Sequence, residues 1–446
     1  MTVGVNSIGD LVKLGVAQIQ TGPFGSQLHS YEYVTSGIHV VPTEAIRERR
    51  IHHDICPQIT PDKASELTRH RLLAGDILFA RRGVQATGHI GVVRIPEEGF
   101  VCGTGAIRLR VSKNSNAVCA EYLSHLLADP ASIAWFKFHA IGATMPNLNE
   151  GIIRNFPLQL PEYNYQRAVA AFLSAIDDKI ELNRRVNETL EAMAQAIFRD
   201  WFVDFGPVRR KLEGANDPVA IMGGLMPDPK RASELARLFP GEFGDDELPL
   251  GWKAGDLSDL ATTAGESVDP TRLTEDTPYI GLEHMPRRSI TLDNWEYAGK
   301  VSSQKSRFSS GQVLFGKLRP YFHKVGIAPV DGVCSTDIVV LDSRADFDRG
   351  LVACCASSDA FVAFTDLTSS GTKMPRTSWS HMKTYGLAIA DAPVRRAFSG
   401  LVGPMHQKVV SSVAENRTLA KARDYLLPRL MSGELRVGDA VQEIAA

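Results

Sequence analysis

From Gln166 to Phe202 apolar residues recur every three to four positions, and the stretch contains neither Gly nor Pro. With Val169 at a heptad a position, Ile176, Asn183, Leu190 and Ile197 share its row, and Phe172, Val186 and Met193 form the d row. Lys179 interrupts the d row, and its neighbour Ile180 covers the gap. A seam of this period requires a partner helix, because alone it would leave its apolar face in water. Thirty-seven residues at about 1.5 Å each make a rod of roughly 55 Å. That length suits a spacer between two bodies better than a core helix.

The same chain supplies the partner. A shift of 229 positions lays Asn187-x-Thr189-Leu190 on Asn416-x-Thr418-Leu419 and Arg167-Ala168 on Arg396-Ala397. It also lays Lys179 on Lys408, Met145-Pro146 on Met374-Pro375, and Gly142 on Gly371. One gap-free offset over so many residues marks an internal duplication. The second seam carries Phe398, Met405, Leu419 and Leu426, with Ser412 at the position of Asn183. Residues 166–205 hold five Lys/Arg against seven Asp/Glu, whereas residues 394–437 hold eight against three. Opposite charge favours pairing of the two helices with each other. Interface positions are therefore expected at Phe172, Ile176, Ile180, Leu190, Ile197, Met405, Leu419 and Leu426.

The rest of the chain repeats with the helices. Residues 1–162 show short β-rich runs at His39–Val41, Asp76–Ala80, Ile90–Val93 and Ala106–Val111, one helical pattern over Ala120–His139, and a Gly-Pro-Phe-Gly-Ser loop at 22–26. Residues 251–392 echo them: Gly311-Gln-Val-Leu-Phe-Gly answers Gly75-Asp-Ile-Leu-Phe-Ala, at an offset near 236. Between the copies, Pro and Gly crowd residues 206–250, which predicts a partly ordered connector without a compact core. The expected order is a mixed α/β domain (1–162), a long helix (163–205), the connector (206–250), a second mixed domain (251–392), a second long helix (393–437) and a C-terminal tail (438–446). The fold class is α+β: two duplicated domains separated by a long antiparallel two-helix coiled coil.

Composition removes several classes. The formal net charge is −2 over 446 residues, so any case for nucleic acid must rest on local features. The six Cys form no C-x-x-C pair and sit in apolar surroundings, as reduced thiols of a cytoplasmic protein would. No apolar run is long enough to span a bilayer, so no membrane partner is expected. Gly311–Leu318 reads G-x-x-x-x-G-K-L, with Leu where a nucleotide loop needs Ser or Thr and strand-like residues inside it. Asp177-x-Lys179 lies on the rod, where solvated charge is the usual explanation. The scattered His residues lack metal-ligand spacing. No nucleophile–base pair stands out, and no catalytic residue, bound metal or cofactor is expected in this chain.

Basic and polar residues at matching places in the two repeats are the remaining signal. Arg81-Arg82-Gly83 follows one strand, and Lys317-Leu-Arg319-Pro-Tyr321-Phe-His-Lys324 follows its counterpart. Turns after strands can offer such side chains to phosphates and base edges, although a solvated turn is the plainer alternative for any single pair. Gly142-Ala-Thr144-Met-Pro-Asn147 and Gly371-Thr-Lys373-Met-Pro-Arg376 share a rigid Gly…Met-Pro frame with different polar residues around it. Two related readers of different DNA sequences would need such a design. The DNA-contact candidates are Ser26, Arg81, Arg82, Thr144, Asn147, Lys317, Arg319, Tyr321, Lys324, Lys373 and Arg376.

The chain resembles the specificity subunit of type I restriction-modification systems. The resemblance rests on Leu314–Val325 (L-F-G-K-L-R-P-Y-x-x-K-V), Gly332-Val-Cys-Ser-Thr-Asp-Ile, Gly22–Ser26, Ile176–Arg184, Glu415–Leu419 and Leu427–Glu434. Arg81–Val84 departs from the K-x-R-P-Y pattern of the second copy. The resemblance implies two target-recognition domains, each reading half of a split, asymmetric site in double-stranded DNA. It implies an antiparallel helix pair that sets the gap. It also implies two methyltransferase subunits bringing S-adenosylmethionine, and optional paired restriction subunits bringing ATP and Mg. A helical scaffold that joins proteins without touching DNA, and a specificity subunit serving a fused methyltransferase-nuclease, are the alternatives.

Overall fold

The computed structural model describes residues 5–113, 115–300, 302–371 and 373–445. The chain divides into two compact units, residues 1–178 with 420–446 and residues 179–419. Each contains α-helices and antiparallel sheets, and each of the two long helices contributes one portion to each unit. The class is α+β.

In the first unit a four-stranded antiparallel sheet runs in the order Ala17–Thr21, Ala106–Val111, Ile77–Ala80, Ile90–Val92. Ile77–Ala80 is buried at every residue, which explains its continuous apolar run where half-buried strands alternate. Ile77 and Phe79 pack with Leu123, Leu127 and Phe136, and Leu78 and Ala80 pack with Val41, Ile46 and Cys102 on the opposite face. Beside it, Ile38–Val41 pairs in parallel with Val101–Cys102. The single helix expected over Ala120–His139 is two, Ala120–Ala128 and Pro130–His139. Pro130 cannot donate to the preceding turn, and Asp129 caps the new helix by accepting from the amide of Ala131.

The second unit repeats this plan. Its sheet order is Ala261–Thr263, Ile338–Ser343, Val313–Gly316, Val325–Ile327. Phe315 lies opposite Val339, as Phe79 lies opposite Ile107. Pro278–Ile280 pairs in parallel with Gly332–Cys334, as Ile38–Val41 does with Val101–Cys102. Strand Val313–Gly316 occupies the middle of the G-x-x-x-x-G-K-L stretch.

Residues 206–250 depart from the expected connector. They carry helices Gly206–Leu212, Pro218–Ile221 and Pro229–Ala236. Val208, Met222, Ala232, Leu235 and Phe239 are buried in the second unit's core, with Trp201, Phe202, Trp252 and Phe398. Two of the Pro residues that suggested disorder, Pro218 and Pro229, stand at first helical positions behind Asp217 and Asp228 caps. Proline is pre-organised there, and its missing N–H costs nothing. Residues 438–446, expected as a tail, fall largely within helix Val437–Ala445.

The long helices are Tyr163–Phe198, extended by one π-helical turn over Arg199–Val203, and Ala392–Ser432. Within each unit their portions run antiparallel. In the first, Tyr165 Oη donates to the carbonyls of Leu430 and Leu435 at 3.0 Å each. In the second, Asn183 Nδ2 donates to Asn416 Oδ1 at 2.8 Å and Glu415 Oε2 at 2.9 Å, and Lys179 pairs with Glu415 at 3.2 Å. The expected Val169 row is buried at Val169, Ile176, Asn183 and Ile197 and half-buried at Leu190. The companion row is displaced by one residue from the expected d row. Leu173, Ile180, Asn187 and Ala194 are buried, whereas Phe172 and Val186 are half-buried and Met193 is 44% exposed. The seam therefore alternates four and three residues from Val169, not three and four. Ile180 belongs to it outright, and Lys179 flanks it. On the second helix Phe398, Val402, Val409, Ser412, Asn416, Leu426 and Leu430 are buried, with Met405 and Leu419 at the margin.

Asp177 is not a solvated rod charge. It is buried, with Arg49 Nη1 on one carboxylate oxygen and Arg423 Nη1 on the other, the latter at 2.8 Å. Arg49 also donates to Ser124 Oγ at 2.9 Å. The carboxylate thus ties the first mixed domain to the portions of both helices in its unit. At the same 229 offset the second helix carries His406, whose imidazole burial holds neutral, with its pKa pulled down to about 4.

Candidate nucleic-acid interface

The two sequence signals, the cations after a strand and the Gly…Met-Pro turn, meet in space in both units. In the first, Ile77–Ala80 ends at Arg81, whose amide donates to Gly105 O at 2.9 Å and whose carbonyl accepts from Leu148 N at 2.7 Å. Gly83 N and Thr87 Oγ1 both donate to Pro146 O, at 3.3 and 3.0 Å. In the second, Val313–Gly316 ends at Lys317, whose amide donates to Asp337 O at 2.9 Å and whose carbonyl accepts from Thr377 N at 3.0 Å. Arg319 N donates to Pro375 O at 2.7 Å. These bonds make Arg81 equivalent to Lys317, Gly83 to Arg319, and Asn147 to Arg376. Gly83 has φ +114° and Arg319 has φ 51°. The turn therefore needs a left-handed residue in both copies, and the second places an arginine where the first uses glycine. A non-glycine residue in that conformation costs about 1–2 kcal/mol.

The candidates divide by what holds them. Arg82, Thr144, Ser26, Lys373 and Tyr321 are exposed, and Lys317 is half-buried. Among the described residues no ion pair engages Arg82, Lys317 or Lys373. Arg81 Nε is bound to Asn147 Oδ1 at 3.0 Å and Leu148 O at 3.2 Å, so these two candidates brace each other. Arg376 pairs with Asp337 at 3.1 Å and keeps about half of its side chain exposed. Lys324 turns inward: its ammonium donates to Leu282 O, and burial lowers its pKa from the ordinary lysine value. Lys324 thus serves the fold, in contrast to the DNA-contact role expected of it. Thr372, inside the second Met-Pro frame, lies outside the described residues.

Two further residues belong with the second surface. Arg287 stacks over Phe322, with its guanidinium carbon 4.1 Å from the ring centroid, and Arg319 approaches the same ring at 5.8 Å. Tyr321 meets Phe322 edge-on at 4.8 Å. The result is a strip of stacked aromatic and guanidinium groups. Phe322 lay within the noted motif. Arg287 sits 30 residues before Lys317, and nothing in its neighbourhood distinguished it from other surface arginines.

A family model described as the type I restriction modification DNA specificity domain matches residues 59–192. The chain is 26% identical over 368 residues to the type I restriction enzyme HindI specificity subunit of Haemophilus influenzae, covering 73% of this chain and 79% of that protein. It is 24% identical over 388 residues to the MjaIX specificity subunit of Methanocaldococcus jannaschii, covering 85% and 82% respectively. The matched domain and these relatives support reading this chain as a type I restriction-modification specificity subunit. The fold agrees with a solved S subunit from M. genitalium, with a TM-score of 0.53 at 12% identity over 96% of this chain and 98% of that one. The chain carries a long helical region beside the matched DNA specificity domain, and the matched relatives are named as specificity subunits. All six cysteines are free. Burial drives the thiols of Cys56, Cys102, Cys334 and Cys355 up to about 12, as suits inert structural thiols. Among the described residues no single helix is long and apolar enough to cross a membrane.

Proposed function

We propose that this specificity subunit reads a bipartite, asymmetric DNA site, one recognition unit per half-site, and docks two methyltransferase subunits. The observation that carries the reading is the pair of strand–turn surfaces. Both share one hydrogen-bonded frame, yet Arg81, Gly83 and Asn147 in the first are Lys317, Arg319 and Arg376 in the second. A common frame with different polar groups gives two surfaces of one architecture and two base preferences. Exposed Arg82 and Lys373 and half-buried Lys317 supply phosphate contacts that position each unit, and arginines near base edges can make paired donations to guanine. A near-neutral chain suffices where partner subunits share the phosphate contacts. The paired helices act as the ruler for the unread gap. S-adenosylmethionine, ATP and Mg belong to methyltransferase and optional restriction subunits, and the assembly works in the reducing cytoplasm.

The test is co-expression with a methyltransferase subunit from the same host, purification of the complex, and methylome sequencing of a host with and without this chain. The reading requires a stable complex and a methylated motif of two defined halves around an unspecified gap. Methylation or cleavage by the purified chain alone, or a complex without sequence-selective DNA retention, would overturn it.

A further inference from the structure

The Gly…Met-Pro frame holds one large apolar side chain in water in both copies. Met145 is 61% exposed and Met374 is 53% exposed, and they occupy the same position in the duplication. Each sits in a short, tightly closed hairpin. Ile141 and Asn147 exchange two backbone bonds of 2.9 Å, and Ser370 and Arg376 exchange two of 3.0 and 2.9 Å. Gly142 and Gly371 take φ +105° and +99°. A Cβ on Gly142 would stand 2.7 Å from Met145 O. The carbonyl of the next residue, Pro146 or Pro375, is bonded to the turn after the strand. The backbone around each methionine is thus fixed on both sides while its thioether side chain remains largely in solvent. Neither methionine belongs to a buried core cluster.

The surroundings select the occupant. Arg82 forms the bridge partner of Asn147, and Leu318, between Lys317 and Arg319, forms that of Arg376. Each methionine is therefore displayed two residues from a strand-end turn carrying cations, a combination complementary to a polyanion with an apolar interior. The polar positions of the hairpins differ, with Thr144 and Asn147 in one and Lys373 and Arg376 in the other, but the methionine does not. A residue that chose bases would be expected to vary between two readers of different half-sites. A residue that anchors both readers would not. A flexible, polarisable methionine can lie against base edges or a base step of any sequence.

Resting on the proposed DNA-reading function, we infer that Met145 and Met374 are equivalent, sequence-independent DNA anchors. Each buries its side chain in a groove of double-stranded DNA when its unit docks, while the polar residues around it choose the bases.

The test uses the assembled complex with its methyltransferase subunits and a duplex carrying the motif found by methylome sequencing. Met145→Ala and Met374→Ala should each weaken binding about three- to tenfold, the loss of one partly buried apolar side chain. Met145→Leu and Met374→Leu should bind close to wild type, and Met145→Gln and Met374→Gln should fall with the alanine variants. All variants should methylate the unchanged motif, and thermal melts should match wild type because both side chains are exposed. Unaltered affinity in both alanine variants would overturn the inference, as would a changed base within a half-site or loss of the methyltransferase subunits from the complex. A wild-type complex without sequence selectivity would instead refute the underlying recognition function, so the two failures are distinguishable.

Discussion

Replacing Asp177 with Ala should be the most damaging single change in the first unit. The carboxylate is buried between two guanidiniums, with side-chain exposures of 9% for Asp177, 12% for Arg49 and 27% for Arg423. Removing it strands the Arg49 guanidinium and leaves Arg423 with only Asp424, an exposed neighbour, as its counter-ion. Breaking a buried ion pair costs about 3–5 kcal/mol. Because Arg423 keeps some contact with water, the lower end applies, about 3 kcal/mol, against a typical domain stability of about 5–15 kcal/mol. Trp135 lies in the first unit, and Trp201, Trp252, Trp295 and Trp379 lie in the second. Urea unfolding followed by 19F NMR of 5-fluorotryptophan-labelled protein therefore reads the units separately. The Trp135 transition should move to lower urea in Asp177→Ala while the other four signals hold. Replacing all three charges together, as Arg49→Met, Asp177→Leu and Arg423→Met, should recover most of the loss, because no buried charge is then left unpaired. A single variant within about 1 kcal/mol of wild type, or a triple variant no better than the single, would refute the reasoning.

Two further outcomes follow from the same contacts. Burial holds His406 near 4, below the usual 6.5. Between those values the unfolded chain takes up a proton that the folded one refuses, so His406 lowers stability as pH falls from 6.5 to 4, by up to about 3 kcal/mol. His406→Leu should flatten that part of the stability–pH curve; an unchanged slope would show that other groups produce it. Arg319→Gly installs the residue that the first copy already uses at this left-handed position. Urea unfolding should show stability held or raised by up to about 1 kcal/mol, while the assembled complex loses DNA affinity; a destabilised protein would assign Arg319 to the fold instead.

The strands were legible because their apolar runs are short, dense and bounded by Gly, as at Gly75–Ala80 and Gly311–Gly316. The repeat was legible because one offset carried both the Met-Pro frame and the helix motifs. The second row of the seam was misread because the sequence offers the more apolar choice on the wrong side. Val186 and Met193 look better than Asn187 and Ala194, but only the latter row is buried. Helix packing selected small Ala194, and the neighbouring polar layer, Asn183 on Asn416, is fully hydrogen-bonded across the pair in a way no local pattern announces. The region around 206–250 was misread because Pro at a helix start and Pro in a loop look alike until the preceding Asp is recognised as a cap. Asp177 could not be singled out, since its partners are 128 and 246 residues away. Of the contact candidates, the frame was visible in sequence, whereas the inward turn of Lys324 and the approach of Arg287 to Phe322 depend on tertiary packing.

The measurement that most directly tests the division into two readers and a ruler is a matched heptad insertion. A second copy of Lys179–Arg185 is placed after Asp178, and a second copy of Val413–Leu419 after Leu419. The insertion points lie between the Asp177–Arg423 and Lys179–Glu415 contacts, so each unit keeps every contact it has. The added heptads reproduce the Asn183–Asn416 layer and preserve the phase of the seam. Seven residues lengthen the pair by about 10 Å, or about three base pairs of duplex. Selection of the assembled complex on duplexes with randomised gap lengths should return the same two half-site sequences separated by a gap about three base pairs longer. A folded, partner-bound complex that still prefers the original gap, or one that selects different bases in either half, would contradict the account.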